Sequence, residues 1–163
     1  MEKTVEEQMR DLLVKHPTPP LEVIIPILEK AGRGEQQLVA QIYSATAKLA
    51  AGTTQILKLR DRNMKTVAKV CEVMFGAEGL KLEPVELTES TFSVRLSECP
   101  MLKVGKGVSM SVKSRFCDLI CTGGSRALMD TVLGSQKATC EWDKALLKGA
   151  GRCTVVFKLV KAT

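Results

Sequence analysis

The hydrophobic pattern of this chain changes its period after Phe75, and that change decides what the chain can fold into. Before it, Leu38, Ile42, Ala45 and Leu49 recur every three or four residues, and Met64, Val67, Cys71 and Met74 continue the stripe. Such spacing puts side chains on one face of a helix. After it, Phe92, Val94 and Leu96 alternate with Ser93, Arg95 and Ser97, and Cys153, Val155, Phe157 and Leu159 alternate in the same way. A two-residue period belongs to half-buried strands. The expectation is one α+β domain, in which residues 1–75 are a helical N-terminal region and residues 76–163 a cysteine-containing α+β region. A chain of 163 residues can bury a sizeable core without staples.

Breakers refine this reading. Val5, Met9, Leu12 and Leu13 mark a first helix over 3–15, which His16-Pro17-Thr18-Pro19-Pro20 must stop, because proline lacks the N–H and pushes its predecessor out of helical geometry. A short helix over 21–31 is kinked at Pro26. The stripe over 35–75 is either one long helix or two that part near Gly52. It is longer than a small sheet covers, so a homodimer using part of it is expected. Pro84 argues that the first strand lies at an edge, and Glu89-Ser90 turns it into a hairpin. A basic loop over 101–107 leads to a helix over 108–121 with Val112, Phe116, Leu119 and Ile120 inward. Gly123-Gly124 is expected to break it and Ser125 to cap a second helix over 126–133. Ala138, Cys140 and Trp142 alternate, Gly149-Ala150-Gly151 turns the chain, and the last strand follows. Helices, hairpin, helices, hairpin predict an antiparallel sheet of about four strands with helices on one face.

Charge and composition exclude some functions. Residues 1–100 hold 13 basic and 14 acidic side chains, whereas residues 101–163 hold 11 basic and 4 acidic. The positive excess therefore sits in the second part, where it suits a solubilising surface or an anionic ligand. It lacks the aromatic stacking set, the finger spacing and the dense Lys/Arg run of nucleic-acid binders. No apolar run approaches the roughly 18–20 residues of a membrane span. The acidic, amphipathic N-terminus is no signal peptide, so a cytoplasmic protein with reduced thiols is expected. Gly105-Lys106-Gly107-Val108-Ser109 lacks the spacing of a phosphate loop. Thr122-Gly123-Gly124-Ser125-Arg126 reads as a helix–helix turn before an anion site.

The cysteines carry the remaining chemistry. Cys117 and Cys121 stand four apart on a helix and share a face. Cys99 enters that helix, and Cys140 and Cys153 lie on the final hairpin. A thiolate site for zinc or an iron–sulfur species needs three or four converging sulfurs. Cys99, Cys117, Cys121 and Cys153 are the candidate ligands, with Cys140 and Glu141 as alternates. One reactive thiol, or ordinary core packing, are the competing readings, and Cys71, inside the helical stripe, is core. His16 is the sole histidine, so a Cys/His nucleophile pair has little to draw on, and an active Cys would need Lys, Arg or a helix N-terminus.

Cys99-Pro100, Phe116-Cys117-Asp118-Leu119-Ile120-Cys121, Cys140-Glu141 and the run from Lys148 through Gly149, Gly151 and Cys153 to Phe157 resemble the 4-vinyl-reductase domain family. They are also similar to the related L-2-amino-thiazoline-4-carboxylic acid hydrolase-like proteins. The resemblance covers about residues 70–162. It implies an α+β fold with a hydrophobic pocket, often a dimer, and in some members a zinc site near the terminal hairpin. Glu141 and Cys153 match that site. Lys144 stands where the pattern places another Cys, so a metal set here has to be completed by Cys99, Cys117 and Cys121. Three functions follow as expectations. The first is binding or sensing of a small apolar or anionic molecule, with Phe116, Ile120, Trp142 and Phe157 against it. The second is a thiol- or metal-dependent hydrolase of a small cyclic amide-like acid. The third is a dimeric assembly subunit.

Overall fold

The computed structural model describes residues 2–30, 32–99, 101–102, 106–149 and 151–160. Of the expected features, Ala31, Pro100, Gly105 and Ala150 lie outside these. Helix α1, Val5–Lys15, begins at a capping box: the Thr4 Oγ1 accepts the Glu7 N–H at 3.2 Å, and the Thr4 N–H donates to the Glu7 carboxylate at 2.8 Å. After the prolines, α2 spans Leu21–Lys30 and carries Pro26 within it. The long stripe is two helices, α3 over Arg33–Ile56 and α4 over Met64–Ala77. They part after Ile56 rather than at Gly52. Gly52 stays helical because α1 packs there, where an added Cβ would lie 2.6 Å from the Leu12 methyls. The second helix restarts at Asn63, whose side chain accepts the Thr66 N–H at 3.0 Å.

The strands are β1 Leu82–Leu87, β2 Thr91–Leu96, β3 Ala138–Trp142 and β4 Cys153–Leu159, in one antiparallel sheet of order β1-β2-β4-β3. β1 is an edge, with an irregularity between Pro84 and Glu86. At the centre the register sets Phe92 opposite Phe157 and Val94 opposite Val155. The two rings stack with centroids 5.5 Å apart and planes 11° apart. Both hairpins therefore share one buried face, which α4 and α6 cover.

One expected break is absent. From Met110 the chain runs as α5 to Phe116, widens into a π-helical segment at Cys117–Thr122, and continues as α6 over Gly123–Leu133. Gly123 and Gly124 lie inside the run, and Ser125 is a buried residue of α6 rather than its cap. Two helical glycines cost about 1 kcal/mol each relative to Ala. Burial of Ala127, Leu128, Met129, Val132 and Leu133 along this helix outweighs that. Met101, expected in a basic loop, is fully buried in a helical turn.

Two apolar clusters result. The sheet-side cluster joins α1, α4, α6 and the second half of α3 to Phe92, Val94, Val155 and Phe157. The helix-side cluster gathers Ile24 and Leu28 of α2, Leu38 and Ile42 of α3, Met101, Val112, Phe116 and Leu119. The stripe that prompted the dimer expectation is thus largely covered within the chain itself. No helix among the described residues is long and apolar enough to cross a membrane.

Candidate functional site

Between the two clusters the interior is not filled. A cavity of about 520 Å³ lies where β2 ends, β3 ends and β4 begins. Its walls come from Ile42, Thr46 and Leu49 of α3, the end of α4, the π-helical segment, Gly124, Ser125 and Leu128 of α6, and Trp142. Pro17, Thr18, Pro19 and Pro20 close it from the α1–α2 connection, and Leu146 and Leu147 from a 3-10 turn over Ala145–Lys148.

The sequence candidates divide here. Phe116, Ile120 and Trp142 line the cavity. Phe157 does not: it is completely buried against Phe92 in the sheet-side cluster. The strand alternation that turned it inward could not say which part of the interior it would meet. Cys99, Cys117, Cys121 and Cys153 all line this one cavity. Cys140 lies outside it, and Glu141 is on the exposed side of β3. Cys71 is fully buried in the sheet-side cluster.

The convergence of four thiols does not make a metal centre. Among the described residues, no group of three or more His, Cys, Asp and Glu is arranged to hold a metal ion. Three of the four sulfurs are engaged otherwise. Cys121 hydrogen-bonds to Cys117, and the Cys153 sulfur accepts the Leu146 N–H at 3.3 Å. The zinc and iron–sulfur readings therefore find no fitting donor set.

The electrostatics separate the cysteines. The hydrogen bond from Cys121 holds Cys117 below the ordinary thiol value. Burial opposes this, the Lys144 charge adds to it, and Asp118 works against it. Cys121, as donor in a buried pair, is pushed well up. Burial also raises Cys153, against the Leu146 N–H. Cys140 is pushed up to about 11 by burial, although hydrogen bonds from Ser125 and Trp142 counteract it. Burial drives Cys71 far up. Cys117 alone among these five thiols is poised toward the thiolate.

Lys144 reaches the cavity at a conformational cost. Its φ of 52° and ψ of 27° are left-handed, a conformation worth about 1–3 kcal/mol of strain for a residue with a Cβ. Asp143 holds the turn by accepting the Ala145 N–H at 3.1 Å and the Thr154 N–H at 2.9 Å. The ammonium is anchored by Asp118 at 2.5 Å and Ser114 at 3.3 Å. Among the described basic side chains after residue 100, Lys144 alone lines the cavity, and Glu78 and Glu98 line it as well. The positive excess of that half is therefore mostly elsewhere. His16 lies on the outer side of the proline connection, away from the cavity.

Several lining residues had no signal in the sequence. The prolines registered only as a helix stop, and Leu146 and Leu147 belong to a 3-10 turn too short for a period. Ser125, read as a cap, is buried and accepts the Trp142 indole N–H at 3.3 Å. The π-helical segment carries no local mark, although such segments recur at functional sites.

No family model and no curated protein sequence matches the chain. Among solved structures it is similar to a trafficking protein particle complex subunit 3 from Naegleria fowleri, covalently bound to palmitic acid. The two are 16% identical, with a TM-score of 0.57 over 96% of this chain and 95% of that one. An H-NOX domain from Shewanella oneidensis in an Fe(II)CO state is 15% identical, with a TM-score of 0.47 over 99% and 100%. An H-NOX protein from the same organism in an Fe(II)NO state is 14% identical, with a TM-score of 0.49 over 95% and 89%. The likeness to the trafficking subunit is one of fold, spanning nearly the whole of both chains.

Proposed function

We propose that this chain is a small-molecule-binding domain of 4-vinyl-reductase type that encloses one apolar, chain-like ligand. The observation that carries the reading is the cavity of about 520 Å³ between two packed clusters. Protein interiors pack about as densely as organic crystals, and a void of this size forfeits dispersion contacts along its whole lining. Its volume lies within the roughly 300–1,000 Å³ typical of ligand sites. Ile42, Leu49, Phe116, Ile120, Leu128 and Trp142 supply apolar contact, and the thiols, Ser125 and Thr46 supply the few polar fixtures. The trafficking subunit that shares the fold holds palmitic acid, which supports an acyl chain as the ligand class.

The hydrolase reading has less support. It needs a base to activate water; the sole imidazole, His16, is not at the cavity, and that role would fall to a lining carboxylate, Glu78 or Glu98. The test is native mass spectrometry of the purified protein, followed by titration of the ligand-stripped protein with a fluorescent fatty-acid analogue. One analogue per chain, displaced by unlabelled long-chain acids or alcohols, is expected. A protein that carries nothing and takes up no analogue would overturn the reading.

A further inference from the structure

Lys144 is held at the cavity in an arrangement that leaves it one proton to give. An ammonium carries three N–H donors. Among the described residues two acceptors meet it, the Asp118 carboxylate at 2.5 Å and the Ser114 hydroxyl at 3.3 Å. Ser114 belongs to α5 and Asp118 to the π-helical segment, so both acceptors come from one helical run. Lys144 also lines the cavity, where the third donor has room for an acceptor. The side chain is 25% exposed, so bulk water meets only part of it.

The backbone supports this side chain at a cost. At φ 52° a glycine would hold the turn without strain, as Gly149 does at φ 83°. The sign of φ alone would not mark the residue, since Lys58 at φ 54° shares it. What singles out Lys144 is that the strained position brings an ammonium, pinned by two partners, to a largely apolar wall. The ion pair then selects the acceptor. Asp118 already balances the Lys144 charge at contact distance. A carboxylate or phosphate bound there would set a second negative charge close to Asp118. A carbonyl or hydroxyl oxygen adds none, and it still gains a hydrogen bond from a charged donor, the stronger kind.

We infer that Lys144 is the polar anchor for the ligand of this cavity, and that the ligand is an aliphatic chain bearing one uncharged carbonyl or hydroxyl oxygen. This rests on the apolar-ligand reading above and names the polar group which that reading leaves open. The oxygen sits where the π-helical segment meets the 3-10 turn over Ala145–Lys148, and the chain lies against Ile42, Leu49, Ile120 and Leu128. No covalent bond forms or breaks.

The experiment titrates the ligand-stripped full chain with octane, 2-octanone, 1-octanol and octanoate. It reads the fluorescence of Trp142, the sole tryptophan and a cavity residue. Comparing parent with variant for each compound cancels the cost of taking that compound from water. Lys144→Met should weaken 2-octanone and 1-octanol about tenfold, the worth of one charge-assisted hydrogen bond, and leave octane within about twofold. Retained octane binding shows that the variant is folded. Asp118→Asn removes the balancing charge and should tighten octanoate about tenfold while leaving octane unchanged. Equal losses for octane and 2-octanone in Lys144→Met would overturn the inference, because shape rather than an oxygen would then be recognised. So would a larger loss for octanoate than for 2-octanone, or no gain for octanoate in Asp118→Asn. Parent binding that Lys144→Met leaves untouched for every compound would overturn it and leave the binding reading standing. No binding of any of the four to the parent would overturn the two together.

Discussion

The sheet-side cluster and the cavity beside it are built from the same kinds of residue and have opposite interiors. Around Phe92 and Phe157 the register of β2 and β4 brings two rings face to face, and α4 and α6 close over them. A few residues further along the same strands, Leu96 and Cys153 meet as the strands end, the π-helical segment faces them, and space remains. The thiols record the difference. Cys71 in the filled region is driven toward the neutral form by burial, while Cys117 at the open wall is drawn toward the charged form by a hydrogen bond and a cation. Burial alone therefore does not make a cysteine inert; what matters is whether polar partners reach it.

The comparison breaks most visibly at its centre. Phe157→Ala should cost about 3–5 kcal/mol in denaturant unfolding, because the filled side cannot collapse onto the lost ring. Affinity for an apolar ligand in the folded fraction should be unchanged, and an equal loss of affinity would show that the two interiors are one. The converse variant, Ile120→Trp, puts volume into the cavity. It should weaken binding of the fluorescent fatty-acid analogue at least tenfold, or about 1.4 kcal/mol, with stability retained.

A third measurement uses pH. Cys71 and Cys140 have raised folded-state values, so their contribution is full below the ordinary thiol value of 9.0 and is lost as pH rises toward the folded values. Unfolding free energy should fall above pH 9.0 by about 1.4 kcal/mol per pH unit for each such thiol. Cys117 has the opposite sign: its contribution is present above the ordinary value and is lost as pH falls through the lowered one. Cys71→Ala should flatten the alkaline slope and Cys117→Ser should not. Equal flattening by both would remove the distinction. The smallest effect belongs to the helix start on the filled side. Asn63→Ala should cost about 1 kcal/mol through loss of the α4 cap and leave ligand affinity unchanged.

The α+β class was legible because periodicity is local. Spacings of three to four in α3 and α4, and of two in β2 and β4, express which face is buried, and a chain carries that information wherever it lies. Helix ends were less legible. Asn63 is of a residue type that caps helices, yet the continuous apolar stripe on both sides of it masks the start of α4, and the glycines at 123 and 124 suggest a break that packing overrides. The four cavity cysteines were legible as a group, since the helix face, its entry and the last hairpin were each visible. What they do together was not legible.

The chain's own pattern of apolar and polar residues determined the elements, their order, the shared face of the two hairpins and the inward side of Cys117 and Cys121. These follow from rules that act within a turn of helix or a pair of strands. Only the tertiary structure decided that the space beside β2 and β4 stays open, that Phe157 falls in the filled part, and that Lys144, bound to Asp118 and Ser114, reaches the cavity the four thiols line. Those outcomes depend on whether side chains far apart in the chain fill one volume. Packing and electrostatic partnership are properties of that volume, and no stretch of sequence contains it.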